Sequence, residues 1–187
     1  MKFDKKAGYL FFGLAIAAVA DGASAQAVST ATAQPEPPEG PLTQTVRAAT
    51  ERFHDVQAAI DAQYVLHGGC VSGPETGAMG VHYVNDSLVA DGALDASRPE
   101  ALVYEPDGAR LRLVAVEYIV LAEQWNAVNA HPPVLNGQHF HYVSAPNRTG
   151  IPAYYQLHVW AWKGNPNGTF SDWNPTVRCD SYSPPHH

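Results

Sequence analysis

Residues 101–120 read ALVYEPDGARLRLVAVEYIV, and this stretch decides the fold class. Asp107-Gly108 is a strong signal for a hairpin turn, and the runs on both sides of it are rich in β-branched and aromatic residues. The pattern predicts two antiparallel strands. Residues 111–120 carry apolar side chains on both faces of the second strand, which predicts that this strand is covered on both sides.

Further strand patterns lie on either side of this hairpin. They are AMGVHYVN (78–85), QHFHYV (138–143) and AYYQLHVWAW (153–162). The segment between them, LAEQWNAVNAHPPVLNG (121–137), allows either a short helix or a loop that covers one end of the sheet. Together these patterns predict a sheet of mostly consecutive, antiparallel strands.

A helical pattern precedes the strands. Thr43 or Thr45 can cap its start, and Gly68-Gly69 ends the run. Between them apolar residues recur every three or four positions, at Val46, Ala49, Phe53, Val56, Ile60 and Tyr64. We therefore predict an α+β fold in which one N-terminal amphipathic helix packs on a mostly antiparallel β-sheet or partly closed barrel.

The N-terminus has the pattern of a secretory signal peptide. Lys2, Lys5 and Lys6 precede a short apolar run, and the small residues at 23–25 predict cleavage before Gln26. The apolar run is shorter than the ~20 residues of a spanning helix, and no later stretch is long and apolar enough to span a bilayer. The alternative is a retained N-terminal anchor.

Four regions follow from this. Residues 1–25 are the signal peptide, the Pro-rich residues 26–42 a flexible lead, residues 43–180 a single α+β domain, and residues 181–187 a disordered tail. Export would place the protein in the periplasm or outside the cell. The two cysteines, Cys70 and Cys179, are then expected to form a disulfide bond, because such compartments are oxidising.

The charge of the chain excludes one class of partner. The formal net charge is −7, and removal of three lysines and two aspartates with the signal peptide makes it −8. An acidic chain without a basic patch repels phosphate backbones, so we expect no nucleic-acid partner. The sequence does not identify any protein partner.

The strands contain residues that suit a metal ion. His139 and His141 alternate within one predicted strand and so share a face, while His82, Glu117 and His158 lie in three other strands. A carboxylate such as Glu117 inside an apolar strand is costly unless it is paired or bound to something. Imidazole and carboxylate groups suit Zn, Cu, Ni or Fe, so we predict a transition-metal site among these five residues.

Each of these residues also has an ordinary structural role open to it. His158 can stack on an aromatic face, and His82 can bond a backbone carbonyl. Glu117 can pair with Arg112 or Arg110 across the hairpin, and at least one of the pair at 139 and 141 can be a solvated strand residue. We interpret the histidines at 54, 67 and 131 as solvated.

Several familiar catalytic patterns are missing from the sequence. A cupin would carry a Glu and then a Gly soon after the His-x-His pair, but HFHYVSAPNRTG contains no Glu. There is no GxSxG and no cysteine beside a plausible base. Phosphate-binding loops of the GxxxxGK[ST] or GxGxxG type are absent as well.

Three stretches resemble a group of exported bacterial single-domain proteins to which no activity is attached. They are GAMGVHYVN, RPEALVYEPDGARLRLVAVEYIV and LHVWAWKGNPNGTFSDWNPTVRC, and the likeness covers roughly Thr50 to Cys179. The shared pattern has the form GMGxHYVN, LxxVEYxV and LHVWxWxxNPxGxFxDWNPxVxC. The resemblance implies a bacterial, periplasmic protein, and it favours His141 over His139 as a ligand.

Three functions follow as hypotheses. The first is transition-metal binding through His82, Glu117, His141 and His158, with His139 as a substitute. The second is a module that binds a small organic molecule in an aromatic pocket formed by Tyr83, Tyr104, Tyr118, Trp160, Trp162 and Trp173. The third is a metal-dependent enzyme at the first site. In each case the turn-rich tail, with Phe170 and Trp173, is expected to fold back on the sheet as a lid.

Overall fold

The computed structural model describes residues 40–73 and 75–183. The predicted signal peptide, residues 26–39 of the lead and residues 184–187 of the tail lie outside this part of the chain. A 3₁₀ turn at Glu51–His54 separates the first two helices. The helices and strands, in chain order, are α1 (Pro41–Thr50), α2 (Val56–Asp61), β1 (Val65–Gly73), β2 (Gly77–Val84), α3 (Asp86–Asp91), β3 (Ala101–Asp107), β4 (Arg110–Leu121), α4 (Ala122–Val128), β5 (Val134–Leu135), β6 (Gln138–His139), β7 (His141–Val143) and β8 (Tyr154–Val159).

The described residues form one large antiparallel sheet with helices packed on it. The strand order is β1-β2-β3-β4-β8-β7, and every neighbouring pair is antiparallel. The sheet curls into a half-barrel. A separate pair, β5 and β6, lies outside it. The predicted α+β class with a mostly antiparallel sheet is confirmed.

The central hairpin forms where the sequence predicts it. β3 and β4 pair from Ala101↔Glu117 to Asp107↔Arg110. Gly108 supplies the left-handed backbone of the turn, with φ of 59°. Most of β4 is buried on both faces, as expected for a strand that lies between two covering layers.

The N-terminal helix differs from its prediction in three ways. The chain leaves the helical conformation at Asp55, whose side chain accepts a hydrogen bond from Gln57 N and so caps α2. The helix then ends at Asp61, because the chain turns at Gln63 (φ 67°) and pairs with β2. The predicted end at Gly68-Gly69 is therefore wrong: these glycines form a bulge inside β1. At the other end, α1 begins at Pro41, inside the predicted lead.

One face of the sheet packs on the helices and holds the main hydrophobic core. Val46 and Phe53 from the N-terminal helical region meet Tyr104 and Tyr118 from the hairpin there. Tyr104 donates its hydroxyl to Phe53 O at 2.8 Å. The ambiguous segment 121–137 contains a short helix, α4, whose Ala122 joins this core.

The opposite face is built differently. It carries two small apolar clusters, one around Val103 and Trp160 and the other around Val84, Ile119 and Tyr154. A row of polar side chains lies between them, and this row is the candidate site. Residues 164–179 run along this face and cover part of it.

This tail segment is fastened at several points. Ala78 and Asn174 exchange backbone hydrogen bonds of 3.1 Å in both directions. A side chain at Gly77 would collide with the backbone of Asn174, so the glycine permits this approach. The predicted disulfide Cys70–Cys179 is confirmed, and it joins the tail to β1 rather than to a helix end.

The last described residues of the chain contact the rest of the domain. Ser181, assigned to the disordered tail, donates its hydroxyl to Pro106 O at 3.1 Å, and Tyr182 packs against the main core. These two residues of the predicted tail therefore contact the domain. Among the described residues, no helix has the length and apolar character needed to cross a bilayer.

Candidate metal centre

Three buried side chains from three strands meet on the tail-covered face. His82 comes from β2, Glu117 from β4 and His158 from β8, and one ligand atom from each lies within 4.8 Å of the others. Glu117 Oε2 is 3.5 Å from His82 Nε2 and 3.9 Å from His158 Nε2. Ligands about 2.0–2.2 Å from a tetrahedral metal lie about 3.3–3.6 Å apart. The three residues are therefore close enough to hold a metal ion.

The sheet register explains why the three side chains can meet. Glu117 and His158 are direct cross-strand partners on β4 and β8. His82 is two strands away from Glu117, about 10 Å by normal strand spacing, with β3 between them. Ala101 is the partner of Glu117 on β3, and its small side chain leaves room for the two longer ones to meet above it.

The site is well shielded from water. His82, Glu117 and His158 are 9%, 5% and 1% exposed. Neither ring nitrogen of His158 forms a well-aligned hydrogen bond with any described residue. Buried polar atoms in native proteins nearly always have a partner, so Nε2, whose nearest carboxylate oxygen is 3.9 Å away, has an unmet need for one.

Asp172 lies behind His158 and was not among the residues selected from the sequence. Its Oδ1 is 3.3 Å from His158 Nδ1 and 3.2 Å from His141 Nδ1. A carboxylate behind the far nitrogen of a metal-bound histidine fixes the orientation of the ring and raises its basicity. The turn-rich tail gave no sequence periodicity by which Asp172 could have been placed here.

The pKa shifts of the three cluster residues show which of them is charged in the absence of a metal. Burial and, to a smaller extent, the positive charge at His158 lower the pKa of His82 to about 3, so this ring is neutral. Burial raises the pKa of Glu117, partly offset by attraction to His158. Burial alone would lower the pKa of His158, but Glu117 and Asp172 outweigh it and raise that pKa. His158 is thus the cation of the group, and a metal ion would replace its proton.

The pKa of Asp172 shifts in the opposite direction to that of Glu117. Burial alone would raise its pKa, but His158 and His141 outweigh burial and lower it. Asp172 is therefore a stable anion at neutral pH. It can hold the His158 ring from behind whether that ring carries a proton or a metal.

The two histidines of the His-x-His pair are separated by the structure. The chain is interrupted at Phe140, whose side chain enters the main core, so His139 belongs to β6 and His141 to β7 of the large sheet. The expected shared strand and shared face are therefore wrong. Both residues are exposed. His141 reaches the site through Asp172, whereas His139 is not part of the cluster.

His67 is a pocket residue that the sequence reasoning missed. A helix that runs to Gly68-Gly69 would leave His67 solvated at its end. In the structure it lies in β1 directly opposite His82 and lines the same pocket. The alternative partner considered for Glu117 is also accounted for, since Arg112 pairs with Glu105 at 2.6 Å.

The six aromatic residues of the alternative hypothesis do not share one pocket. Tyr104, Tyr118 and Trp160 are completely buried in the two cores. Tyr83 lines a groove beside the β3–β4 turn, and Trp162 stacks edge-on with His54 at a centroid distance of 4.3 Å. Trp173 does lie at the metal-candidate site, as the expected lid residue.

The cluster opens onto a pocket of about 560 Å³. His82, Glu117 and Asp172 are at its base, and residues 143–151 together with Trp173 form its rim. A pocket of this volume is within the range of small-molecule sites. No protein-family model, curated protein or solved structure matches the chain, so the geometry of this site carries the functional conclusion.

Proposed function

We propose that this protein binds a divalent transition metal ion through His82, Glu117 and His158. The observation that carries the proposal is the convergence of three buried donors within 4.8 Å, one of them an imidazole whose nitrogens lack well-aligned hydrogen bonds. Metal coordination would give Nε2 of this buried imidazole the partner that it lacks. Asp172 would act behind His158 as an orienting group.

The donor set narrows the metal and the type of site. Two imidazoles and one carboxylate form the ligand set of catalytic zinc sites and of non-haem iron(II) sites. Structural zinc sites are normally closed by four protein ligands. Here three protein ligands converge, and two of them, His82 and Glu117, line a pocket, which favours a site with an open coordination position. Zn²⁺ and Fe²⁺ are therefore the leading candidates, ahead of Cu²⁺ and Ni²⁺.

A metal titration tests the proposal directly. Chelator-treated protein is titrated separately with Zn²⁺, Fe²⁺, Cu²⁺ and Ni²⁺, and bound metal is measured by elemental analysis after gel filtration. We expect one ion per chain and a rise in Tm, because a ligand that binds the folded state stabilises it. His158→Ala should abolish both effects.

Matched controls come from histidines outside the cluster. His139→Ala and His54→Ala should keep full metal content, because neither residue belongs to the group. Equal metal loss in all three variants would point to adventitious binding by surface histidines. Undiminished stoichiometry in His158→Ala would remove the proposal.

We also propose that the protein is exported before it binds metal. The signal-like N-terminus motivates this, and the disulfide suits an oxidising compartment. N-terminal sequencing of protein from the native host should begin at Gln26, and thiol titration should find no free cysteine. An uncleaved N-terminus together with two free thiols would contradict export.

A further inference from the structure

The pocket in front of the cluster combines an apolar wall with a few polar groups. Val84, Ile119 and Tyr154 line one side of it, and Trp173 lies at the rim. Such a lining suits a ligand with a compact apolar body. The polar groups should then decide which functional group of that ligand faces the metal.

Gln156 is the most informative of these polar groups. It lies on β8 two residues before His158, so both side chains project from the same face. The residue is 5% exposed and lines the pocket, yet its amide makes no hydrogen bond with any described residue. Its amide atoms are not among the fully buried unpaired atoms, so the amide meets the solvent of the pocket. Gln156 therefore has a free donor and a free acceptor beside the cluster.

Arg148 provides a positive charge at the rim. Its guanidinium lies 5.0 Å from the centre of the Trp173 ring, and within the described part of the chain it has no carboxylate partner. With a divalent ion bound, the charges at the pocket are +2 from the metal, +1 from Arg148 and −2 from Glu117 and Asp172. Their sum is +1, which one monoanion would neutralise.

We infer that the pocket binds a small monocarboxylate with an apolar body. One carboxylate oxygen occupies the open position of the metal, and the other accepts a hydrogen bond from the Gln156 amide. The apolar body packs between Ile119, Tyr154 and Trp173, with Arg148 at the entrance. This inference rests on the proposed metal site.

The alternative ligand classes fit these groups less well. An organic cation would meet a pocket whose net charge is already positive once the metal is bound. A neutral amide or alcohol could bond Gln156, but it would leave that positive charge unbalanced. A carboxylate satisfies the metal, the amide and the charge together, and charge-assisted bonds are stronger than neutral ones.

Three ring compounds of similar size test the inference. Benzoate, benzamide and benzylamine are titrated against Zn²⁺-loaded and metal-free protein by calorimetry, with metal content measured in the same samples. We expect benzoate to bind the loaded protein at least tenfold more tightly than either analogue. Metal-free protein should bind benzoate much more weakly. With Co²⁺ in place of Zn²⁺, benzoate should also change the visible spectrum of the metal, which shows inner-sphere binding.

Two variants test the assigned groups. Gln156→Met keeps side-chain length but removes the amide, and should weaken benzoate binding about tenfold while leaving metal stoichiometry intact. Arg148→Gln is a change in an exposed loop and should weaken benzoate binding without affecting folding. Gln124→Met, on the exposed side of α4, is the matched control and should change nothing.

The outcomes separate this inference from the metal site. If Zn²⁺ binds but benzoate binds no better than benzamide and benzylamine, the inference is wrong and the metal site stands. Equal benzoate affinity with and without metal also overturns it. So does wild-type benzoate affinity in both Gln156→Met and Arg148→Gln. If no metal binds at all, the proposed function itself fails.

Discussion

Two buried glutamates on the central hairpin have opposite surroundings. Glu105 accepts two hydrogen bonds of 2.8 Å from Lys163 Nζ, one of 2.6 Å from Arg112, and one of 3.2 Å from the backbone of Arg178. Glu117 makes no hydrogen bond within the described structure and has only two imidazoles at 3.5 and 3.9 Å. The first carboxylate is fully compensated by the protein. The second is surrounded by groups that bind metals.

A third buried glutamate shows another solution. Glu100 is 1% exposed, accepts a hydrogen bond from Ile119 N at 2.9 Å, and has no ion pair among the described residues. Burial raises its pKa to about 8. The buried charge of Glu105 is balanced by cations, Glu100 keeps its proton, and we propose that the charge of Glu117 is balanced by a metal ion. Burial of a carboxylate is therefore not itself a sign of function. The groups around the carboxylate determine whether it is ion-paired, protonated or available to a metal.

Removal of the cation beside Glu105 should have the largest effect on stability. Lys163→Met leaves a buried carboxylate without its main partner, and we expect the free energy of unfolding to fall by about 3–4 kcal/mol. Chemical denaturation measures this. The double variant Glu105→Gln/Lys163→Met should recover much of the loss. Arg98→Met, which breaks an exposed ion pair, should cost less than about 1 kcal/mol. Equal losses in Lys163→Met and Arg98→Met would show that the Glu105 group is not special.

The proton on Glu100 should appear as a pH dependence of stability. The folded state binds this proton more tightly than the unfolded state, whose carboxyl has its normal pKa near 4.5. The resulting stability is fully present below pH 4.5 and is lost as the pH rises through about 8. Between pH 5 and pH 8 the Glu100 contribution should fall by about 3 kcal/mol.

The variant Glu100→Gln isolates this contribution. Its unfolding free energy should depend less on pH than that of the wild type, as measured by denaturation at a series of pH values. Parallel curves for the two proteins would show that Glu100 is ionised in the folded state and that burial has not raised its pKa.

Asp172→Asn should weaken metal binding without abolishing it. Asp172 lies behind His158 and does not contact the metal position, and loss of such an outer carboxylate costs about 10- to 100-fold in affinity. Competition with a chromophoric chelator gives the affinity, and His139→Ala is the control. An unchanged affinity would mean that Asp172 does not orient His158.

Glu117→Gln should have the smallest effect on the stability of the metal-free protein, under about 1 kcal/mol. The carboxylate makes no hydrogen bond that the amide would lose, and His158 keeps Asp172 as a counter-charge. Thermal melts with and without Zn²⁺ measure this, and the stabilisation by Zn²⁺ should disappear. A large loss of stability without metal would indicate that Glu117 is a structural ion-pair partner like Glu105.

Much of the sheet could be predicted from the sequence because its signals are local. Asp107-Gly108 marks the hairpin turn, and the alternation of side-chain direction along residues 153–159 places His158 on one face of its strand. The helix end at Gly68-Gly69 was wrong because glycine pairs serve in bulges as well as in helix ends, and pairing with β2 decided between them. The break at Asp55 depends on a single capping side chain, which a periodicity argument does not weigh.

The candidate site was predictable to the extent that it depends on strand alternation. His82, Glu117 and His158 stood out as polar residues within apolar strands, and the structure brings these three together. His139 did not join them, because Phe140 enters the core and ends the strand. Strand alternation places Gln156 on the same face as His158, but Asp172 lies in the turn-rich tail, where no local pattern predicts its neighbours.

The long sequence separations between the three donors bear on how the proposed metal ion would be acquired. His82 and Glu117 are 35 residues apart, and Glu117 and His158 are 41 apart (117 minus 82, and 158 minus 117). An unfolded or half-synthesised chain therefore presents these three donors separately, without the geometry that chelates an ion. Under the proposed function, selective loading would have to wait until the strands are assembled, and the ion would then enter the folded protein through the same pocket that the proposed ligand would use.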